Sequence, residues 1–232
     1  MRILAMDTSA RACSAAVWDE GQVTQRLVEL DHGHSEVLIP LVLETMAAAG
    51  RRFNELDLVT VTVGPGAFTG LRVGLAAARG MALAARLPCM GMTTLEAMAS
   101  AVDPREATGR LLLVTLDTKR SAVYAQVFRA GEPVTPPMVV DPPDLAEKIG
   151  RRPVLLAGDA AGAVIPALRE AGVDASVSAM PGYPTAASAA ALAARRWQAG
   201  MRAETMPSPV YLRSPSTGLP MGQSCRRPGA SQ

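Results

Sequence analysis

Aromatic residues are scarce: three Phe, three Tyr and two Trp make up 3% of the 232 residues. A surface that grips single-stranded nucleic acid by stacking bases on rings is therefore poorly supported. Histidine is scarcer still, with only His32 and His34. Mechanisms that need imidazoles at several separate places are excluded. The three cysteines, Cys13, Cys89 and Cys225, are scattered and form no CxxC. That set is neither a disulfide framework nor a zinc site, and it fits a reducing cytosol. No charge sign dominates: 23 basic against 21 acidic residues give +2. A strong electrostatic grip on nucleic acid by this chain alone is not expected. No apolar stretch reaches the length of a membrane span, because the alanine-rich runs are broken by Arg, Gly or Pro. The run in MRILAMD is cut by Asp7, too early for a signal peptide. A cytoplasmic protein is the expectation.

What is present is core-forming material. Apolar residues make up 49% and charged residues 19%, enough for one large domain or two small ones. Along the chain, 3–6, 12–18 and 23–30 read as strands separated by a polar loop and a tight turn. A helix is predicted over 36–49, capped by Ser35, with Pro40 inside it and closed by Gly50. A buried strand at 58–63 runs into Gly64-Pro65-Gly66, and Thr69 is placed as the cap of a helix to about residue 85. A short strand at 89–92, a short helix at 94–101 and a polar connector from Asp103 follow. The pattern then restarts: strands at 111–116 and 121–129, a loop-rich stretch at 133–143, a strand at 154–157, a glycine turn at 158–162, and helices at 164–171 and 186–197. Beyond residue 214 the chain is Ser, Pro, Gly and Arg, the composition of a disordered tail.

The restart is a repeat. At a constant offset of 110, Asp7 falls on Asp117, Thr8 on Thr118, Ala15 on Ala125, Val17 on Val127, Trp18 on Phe128 and Gly21 on Gly131. Duplication accounts for this better than two hairpins that look alike by chance. The expected architecture is α/β: two lobes, 1–102 and 103–213, each a mixed sheet flanked by helices. The last helix is a candidate to fold back on the first lobe, and 214–232 form the tail. An Asp loop in each lobe would put two carboxylates on opposite walls of a cleft. Duplicated folds of the actin, Hsp70 and sugar-kinase type hold nucleotide phosphates and Mg²⁺ in that way.

GPGAFTGLRVG, 64–74, is the most informative segment. Its glycines allow backbone conformations closed to other residues, and the first helical turn offers amides to an anion. The lysine of a P-loop is missing. In the helix that follows, Gly70, Gly74 and Ala78 recur every four residues and form a smooth stripe, while Leu71, Val73, Leu75, Met81 and Leu83 are apolar around much of the circumference. In 36–49, Val37, Leu38, Ile39, Leu41, Val42, Leu43 and Met46 likewise exceed one narrow stripe. Either the two helices bury each other, or a partner covers them. Composition leaves both readings open.

MRILAMDTS, ACSAAVW, HSE at 34–36, GPGAFTGLRVG, GMALA, TTLEAMA at 93–99 and PVYLR at 209–213 together resemble the bacterial TsaB (YeaZ) family, over residues 1 to about 213. The resemblance implies a duplicated actin/Hsp70-like (ribonuclease-H-like) two-lobe fold. It implies a part in placing a threonylcarbamoyl group on N6 of the adenosine beside the tRNA anticodon, as a non-catalytic subunit. That subunit would bind the catalytic paralogue TsaD through the two first-lobe helices, be joined by the P-loop ATPase TsaE, and form a homodimer when alone. It would meet tRNA only through the complex and no membrane. It would hold no cofactor of its own, any ATP, ADP or Mg²⁺ lying at the joint with the partner. The interface and loop candidates are Gly64, Pro65, Gly66, Phe68, Thr69, Gly70, Arg72, Val73, Gly74, Ala78, Leu38, Leu41, Val42 and Met46. Asp7, Thr8, Ser9 and Asp117 are the nucleotide-proximal candidates. The family's DARxxEVY loop reads DTKRSAVY at 117–124, without the acidic residue, which weakens the carry-over there.

Rival readings use the same residues. An ATP-dependent phosphotransferase of this superfold would set Asp7 and Asp117 on metal and phosphate. Both can equally close strand-end Asx-turns. A metallopeptidase would need metal on His32 and His34 with a third ligand, Asp31 or Glu36. The bland reading of that pair, a solvated or capping loop before a helix, is the stronger one. The pairs Arg151-Arg152, Arg195-Arg196 and Arg226-Arg227 read as solvated surface, with one pair a candidate to touch tRNA inside a larger complex.

Overall fold

The structure is a computed structural model and describes residues 1–203 and 205–212. The tail expected over 214–232 lies outside the described residues.

The first lobe is a five-stranded sheet in the order β3-β2-β1-β4-β5. β1 (Arg2–Asp7), β2 (Ala12–Asp19) and β3 (Gln22–Glu29) form an antiparallel meander, turned at Glu20-Gly21. β4 (Leu58–Thr62) and β5 (Cys89–Met92) extend it in parallel. The parallel strands need crossovers, supplied by α1 (His34–Ala48) and α2 (Phe68–Ala85), while α3 (Thr94–Ala101) leads to the second lobe. β1 and β4 are buried along almost their whole length, as strands covered on both faces must be.

The second lobe repeats the plan as β11-β10-β6-β7-β8. β6 (Leu111–Asp117) and β7 (Val123–Arg129) are antiparallel, whereas β10 (Val154–Ala157) and β11 (Ala175–Val177) run parallel to β6. The position of β3 is taken by two fragments, β8 (Glu132–Pro133) and β9 (Met138–Val140), both pairing with β7. Sequence reading leaves these fragments in a loop, because three Pro residues interrupt any alternation there. α4 (Leu145–Ile149) and α5 (Ala161–Glu170) take the places of α1 and α2. Topology thus has the duplicated actin-like plan.

The repeat carries one correction. β1 and β2 are joined with Asp7 opposite Ser14, whereas β6 and β7 are joined with Asp117 opposite Val123. The second connection is one residue shorter. On the helix-covered face Leu4 pairs with Val17 in the first lobe, and Leu113 pairs with Val127 in the second. The β2 and β7 residues keep the offset of 110, but β1 and β6 match at 109. Asp7 and Asp117 are therefore not equivalent positions, and their coincidence in the linear alignment is a slip of one residue.

The last helix, α6 (Ala186–Gln198), lies on the first-lobe sheet, on the face opposite α1 and α2. Alanine explains the fit. Ala186 and Ala190 meet Ala5 and Ala16, so the helix sits close to the sheet without steric conflict. Ser14 Oγ accepts a hydrogen bond from the Ala186 amide at 2.8 Å, and Thr185 caps the helix by accepting from Ser188. α3 fills the space between α6 and the second sheet, where Leu95 and Met98 join Leu112, Val114 and Phe128. The layers run α1/α2, first sheet, α6/α3, second sheet, α4/α5. After α6 the chain returns along the first lobe. The Val210 amide donates to the Val63 carbonyl at 2.7 Å, and Arg79 donates to the Pro207 carbonyl through Nε at 2.9 Å.

Candidate functional site

The glycine-rich link between β4 and α2 is shaped by what lies against it. The Gly64–Pro65 peptide is cis, and Gly64 has φ +108°, the left-handed region that favours glycine. A Cβ on Gly66 would stand 2.3 Å from the Ser9 carbonyl, one on Gly70 2.0 Å from the Thr8 carbonyl, and one on Gly74 2.4 Å from Thr8 Oγ1. The loop 8–11 thus lies directly on the start of α2. Two hydrogen bonds hold it: Thr8 Oγ1 donates to the Gly70 carbonyl at 2.7 Å, and the Ala67 amide donates to the Ser9 carbonyl at 2.8 Å.

This corrects the reading of the small-residue stripe. Gly70, Gly74 and Ala78 are buried; the flat side at Gly70 and Gly74 receives the chain's own first loop, and Ala78 joins the core. A partner backbone has no access to it. Gly64 and Pro65 are buried as well, Gly66 half-buried. The helix begins at Phe68 with Ala67 as its cap, so Thr69 is not the cap; it lies exposed in the first turn. α1 likewise begins at His34 with Gly33 before it, not with Ser35 as cap. Leu38, Leu41, Val42 and Met46 are all at or below 5% exposure and belong to the core with Leu75 and Ala82. They too are excluded as partner-contacting residues.

The outer face of the two helices carries different residues. Leu43 is 53% exposed, Ile39 42% and Leu83 73%. Ala76, Gly80 and Ala84 are exposed beside them, and Val73 is half-buried. α1 and α2 pack on each other through their inner sides, so the mutual-burial alternative holds. The helices bury one another and still leave three large aliphatic side chains, a ridge in outline, exposed on their outer side. Sequence width gave the signal, since seven apolar residues on α1 are more than one stripe accommodates, but it did not say which of them face outward.

Phe68 and Arg72 stand on the first turns of α2, at the opposite end of the helix from Leu83. The Arg72 guanidinium lies 3.8 Å from the centroid of the Phe68 ring, and the Tyr211 ring stands 5.3 Å from Phe68. Arg72 Nε donates to Tyr211 Oη at 3.3 Å. The returning segment 205–212 therefore runs along α2 from Phe68 to Arg79. Nothing in the spacing of PVYLR announced that Tyr211 would join Phe68.

Asp7, Thr8 and Ser9 are buried to 1% exposure or less. The Asp7 carboxylate accepts from Ser9 Oγ at 2.8 Å and from the Ser9 amide at 3.3 Å. Burial pushes its pKa up to about 6, partly offset by the bonds from Ser9. A sealed carboxylate that closes its own loop is the Asx-turn reading. Asp117 sits on the second sheet at an open position. Its carboxylate, slightly desolvated, is held below the usual range by Lys119, whose Nζ is 2.9 Å away. The Asp117 amide donates to Asp159 at 2.8 Å. The two acids are thus not a matched pair on facing walls, as the phosphotransferase reading requires. His34 is buried with Nε2 3.0 Å from the Ala10 carbonyl, while His32 is exposed. Among the described residues no three His, Cys, Asp or Glu side chains gather into a metal site, so the metallopeptidase reading gains no support from geometry. No helix is long and apolar enough to cross a membrane among the described residues.

Residues 29–143 match the family model described as tRNA N6-adenosine threonylcarbamoyltransferase, TsaD. The tRNA threonylcarbamoyladenosine biosynthesis protein TsaB of Escherichia coli K12 is 33% identical over 132 residues, 57% of each chain. TsaB of Haemophilus influenzae is 34% identical over 130 residues, 56% of this chain and 55% of that one. The matched stretch thus spans little more than half the length of these curated relatives. Among solved structures, YeaZ from Pseudomonas aeruginosa superposes with a TM-score of 0.78 at 27% identity, covering 91% of this chain and 99% of that one. That match extends the likeness across both lobes.

Proposed function

Since the chain belongs to the TsaB (YeaZ) family, we propose that it serves tRNA threonylcarbamoyladenosine biosynthesis as a non-catalytic docking subunit. Its partner in this reading is a TsaD-like catalytic paralogue, built on the same duplicated plan. A TsaE-like P-loop ATPase joins the pair, and tRNA is met only through the assembly. Any nucleotide or Mg²⁺ lies at the joint between the chains rather than on this chain alone. Without the paralogue, a second copy covers the same surface, as self-complementary apolar faces do.

One observation carries the reading: the ridge of Ile39, Leu43 and Leu83 on two helices whose inner sides are already committed to the core. Large aliphatic side chains gathered on neighbouring helices mark an interaction surface rather than a solvated face. The sealed Asp7 and the core-facing His34 agree with a subunit that does not itself perform the chemistry.

The test is co-expression with the paralogue. Leu43→Glu combined with Leu83→Glu places two charges on the ridge without touching the core. Such surface changes alter stability by only about 0.5 kcal/mol. The expected result is loss of co-purification with an unchanged melting transition. Pairing that persists in the double variant would show that the partner sits elsewhere.

A further inference from the structure

Where α3 and α6 meet the second sheet, a cavity of about 820 Å³ opens at the N-terminal end of β6. Its rim carries Arg110, Arg129, Arg152 and Arg195, one from each of four separate segments. Two of them belong to the arginine pairs that the sequence marked as surface. Its floor is apolar, with Ala99, Val102 and Leu112 from α3 and β6. No Asp or Glu lines it. Of the nearby carboxylates, Asp103 pairs with Arg105 at 2.8 Å, Glu106 accepts from Ser178 Oγ at 2.9 Å and from the Ala179 amide at 3.2 Å, and Glu132 lies opposite Arg129 across the β7–β8 ladder. Arg110 is held by Ser176, a neutral partner that leaves its charge uncompensated.

Each of the four guanidiniums carries a positive charge on a planar, multi-donor head. Gathered on one concavity whose lining holds no carboxylate, they raise the local potential and concentrate anions there. Their planar forks match the oxygens of a phosphate group. The volume lies within the range of small-molecule sites, and the mix of apolar walls with a few directed polar groups is typical of them.

We propose that this cavity binds a phosphorylated organic molecule of nucleotide size, its phosphates on the rim arginines and its apolar body on the α3–β6 floor. The site is independent of the docking ridge and of the loop 7–9.

The test uses the full chain alone, titrated calorimetrically with ADP and with inorganic pyrophosphate at low salt. ADP should bind, and pyrophosphate more weakly because it leaves the apolar floor unused. Arg129→Ser and Arg152→Ser should each weaken ADP about tenfold or more, the loss of one charge-assisted contact. Ala107→Trp, which fills the hollow and keeps every arginine, should abolish ADP binding and spare pyrophosphate. The proposal is overturned if no probe binds at about 1 mM, a weak-affinity ceiling. It is overturned equally if ADP binds but ignores all three substitutions, because the nucleotide then sits elsewhere. Arginine-dependent retention of tRNA without ADP binding would replace the small molecule by an RNA surface.

Discussion

Replacing Asp7 with Asn probes the sealed loop directly. Asp7 is wholly buried, its pKa is pushed up to about 6, and its ordinary value is 3.8. The folded state therefore holds the proton more tightly than the unfolded chain does. Stability from this group is fully present below the unfolded pKa, and it is lost as pH rises through the folded pKa. A difference of about two pKa units corresponds to about 3 kcal/mol. Asn keeps the shape, stays neutral at every pH and still accepts from the Ser9 amide. Urea midpoints of wild type and Asp7→Asn, measured from pH 4 to pH 7.5, should diverge. Wild type should lose about 3 kcal/mol relative to the variant between pH 4 and pH 7, with no change in m-value. Parallel curves would show that the carboxylate carries no desolvation penalty and that the loop admits water or a cation. A wild type that gains on the variant as pH rises would reverse the sign and refute the burial reasoning outright.

Two stability predictions concern packing. Gly74→Ala drives a methyl into Thr8 Oγ1 and disturbs its bond to the Gly70 carbonyl, so thermal denaturation should show a loss of about 2 kcal/mol. Gly80→Ala, on the same helix with open space at its Cβ, should instead gain up to about 1 kcal/mol from helix propensity. Equal effects at the two positions would mean that the stripe is not pressed on the first loop. Arg196→Ala should destabilise by about 3 kcal/mol, because it strands the largely buried Glu96. Glu96 would be raised by desolvation, yet Arg196 and Thr93 hold it below its ordinary value. Its contribution is therefore present at neutral pH and lost on acidification, and the cost of the variant should shrink in acid.

The order of elements was legible because strands of buried Val, Leu and Ala alternate with turn residues at Gly21, Gly64 and Gly131. The repeat was legible for the same reason. Its register was not. A one-residue shortening between β6 and β7 leaves the residue types aligned while moving the pairing, and only the ladder reveals it. The caps were misplaced because Ser35 and Thr69 are good cap residues lying one or two positions inside helices that begin earlier, after Gly33 and Ala67. The smooth stripe failed as a docking face because sequence says that a backbone can approach Gly70 and Gly74, not whose. The cavity could not have been foreseen, since its four arginines lie on segments separated by up to 85 residues and converge only through the fold.

The duplication supplies an internal comparison for the exposed aliphatic ridge of the first lobe. α1/α2 and α4/α5 cover equivalent faces of equivalent sheets. If outer-layer helices in this architecture simply tolerated exposed aliphatic side chains, both layers would show them. In the second lobe α5 turns Gly162, Ala163, Pro166, Arg169 and Glu170 to solvent, and no large apolar residue of α4 or α5 is exposed among the described residues. The first lobe exposes Ile39, Leu43, Phe68 and Leu83 on the corresponding pair. The excess is thus a property of one copy rather than of the fold. Solubility disfavours such a ridge, and intramolecular packing does not use it. A partner that covers it in the working protein removes the contradiction, and charge introduced at Leu43 and Leu83 is the change that separates this account from mere tolerance.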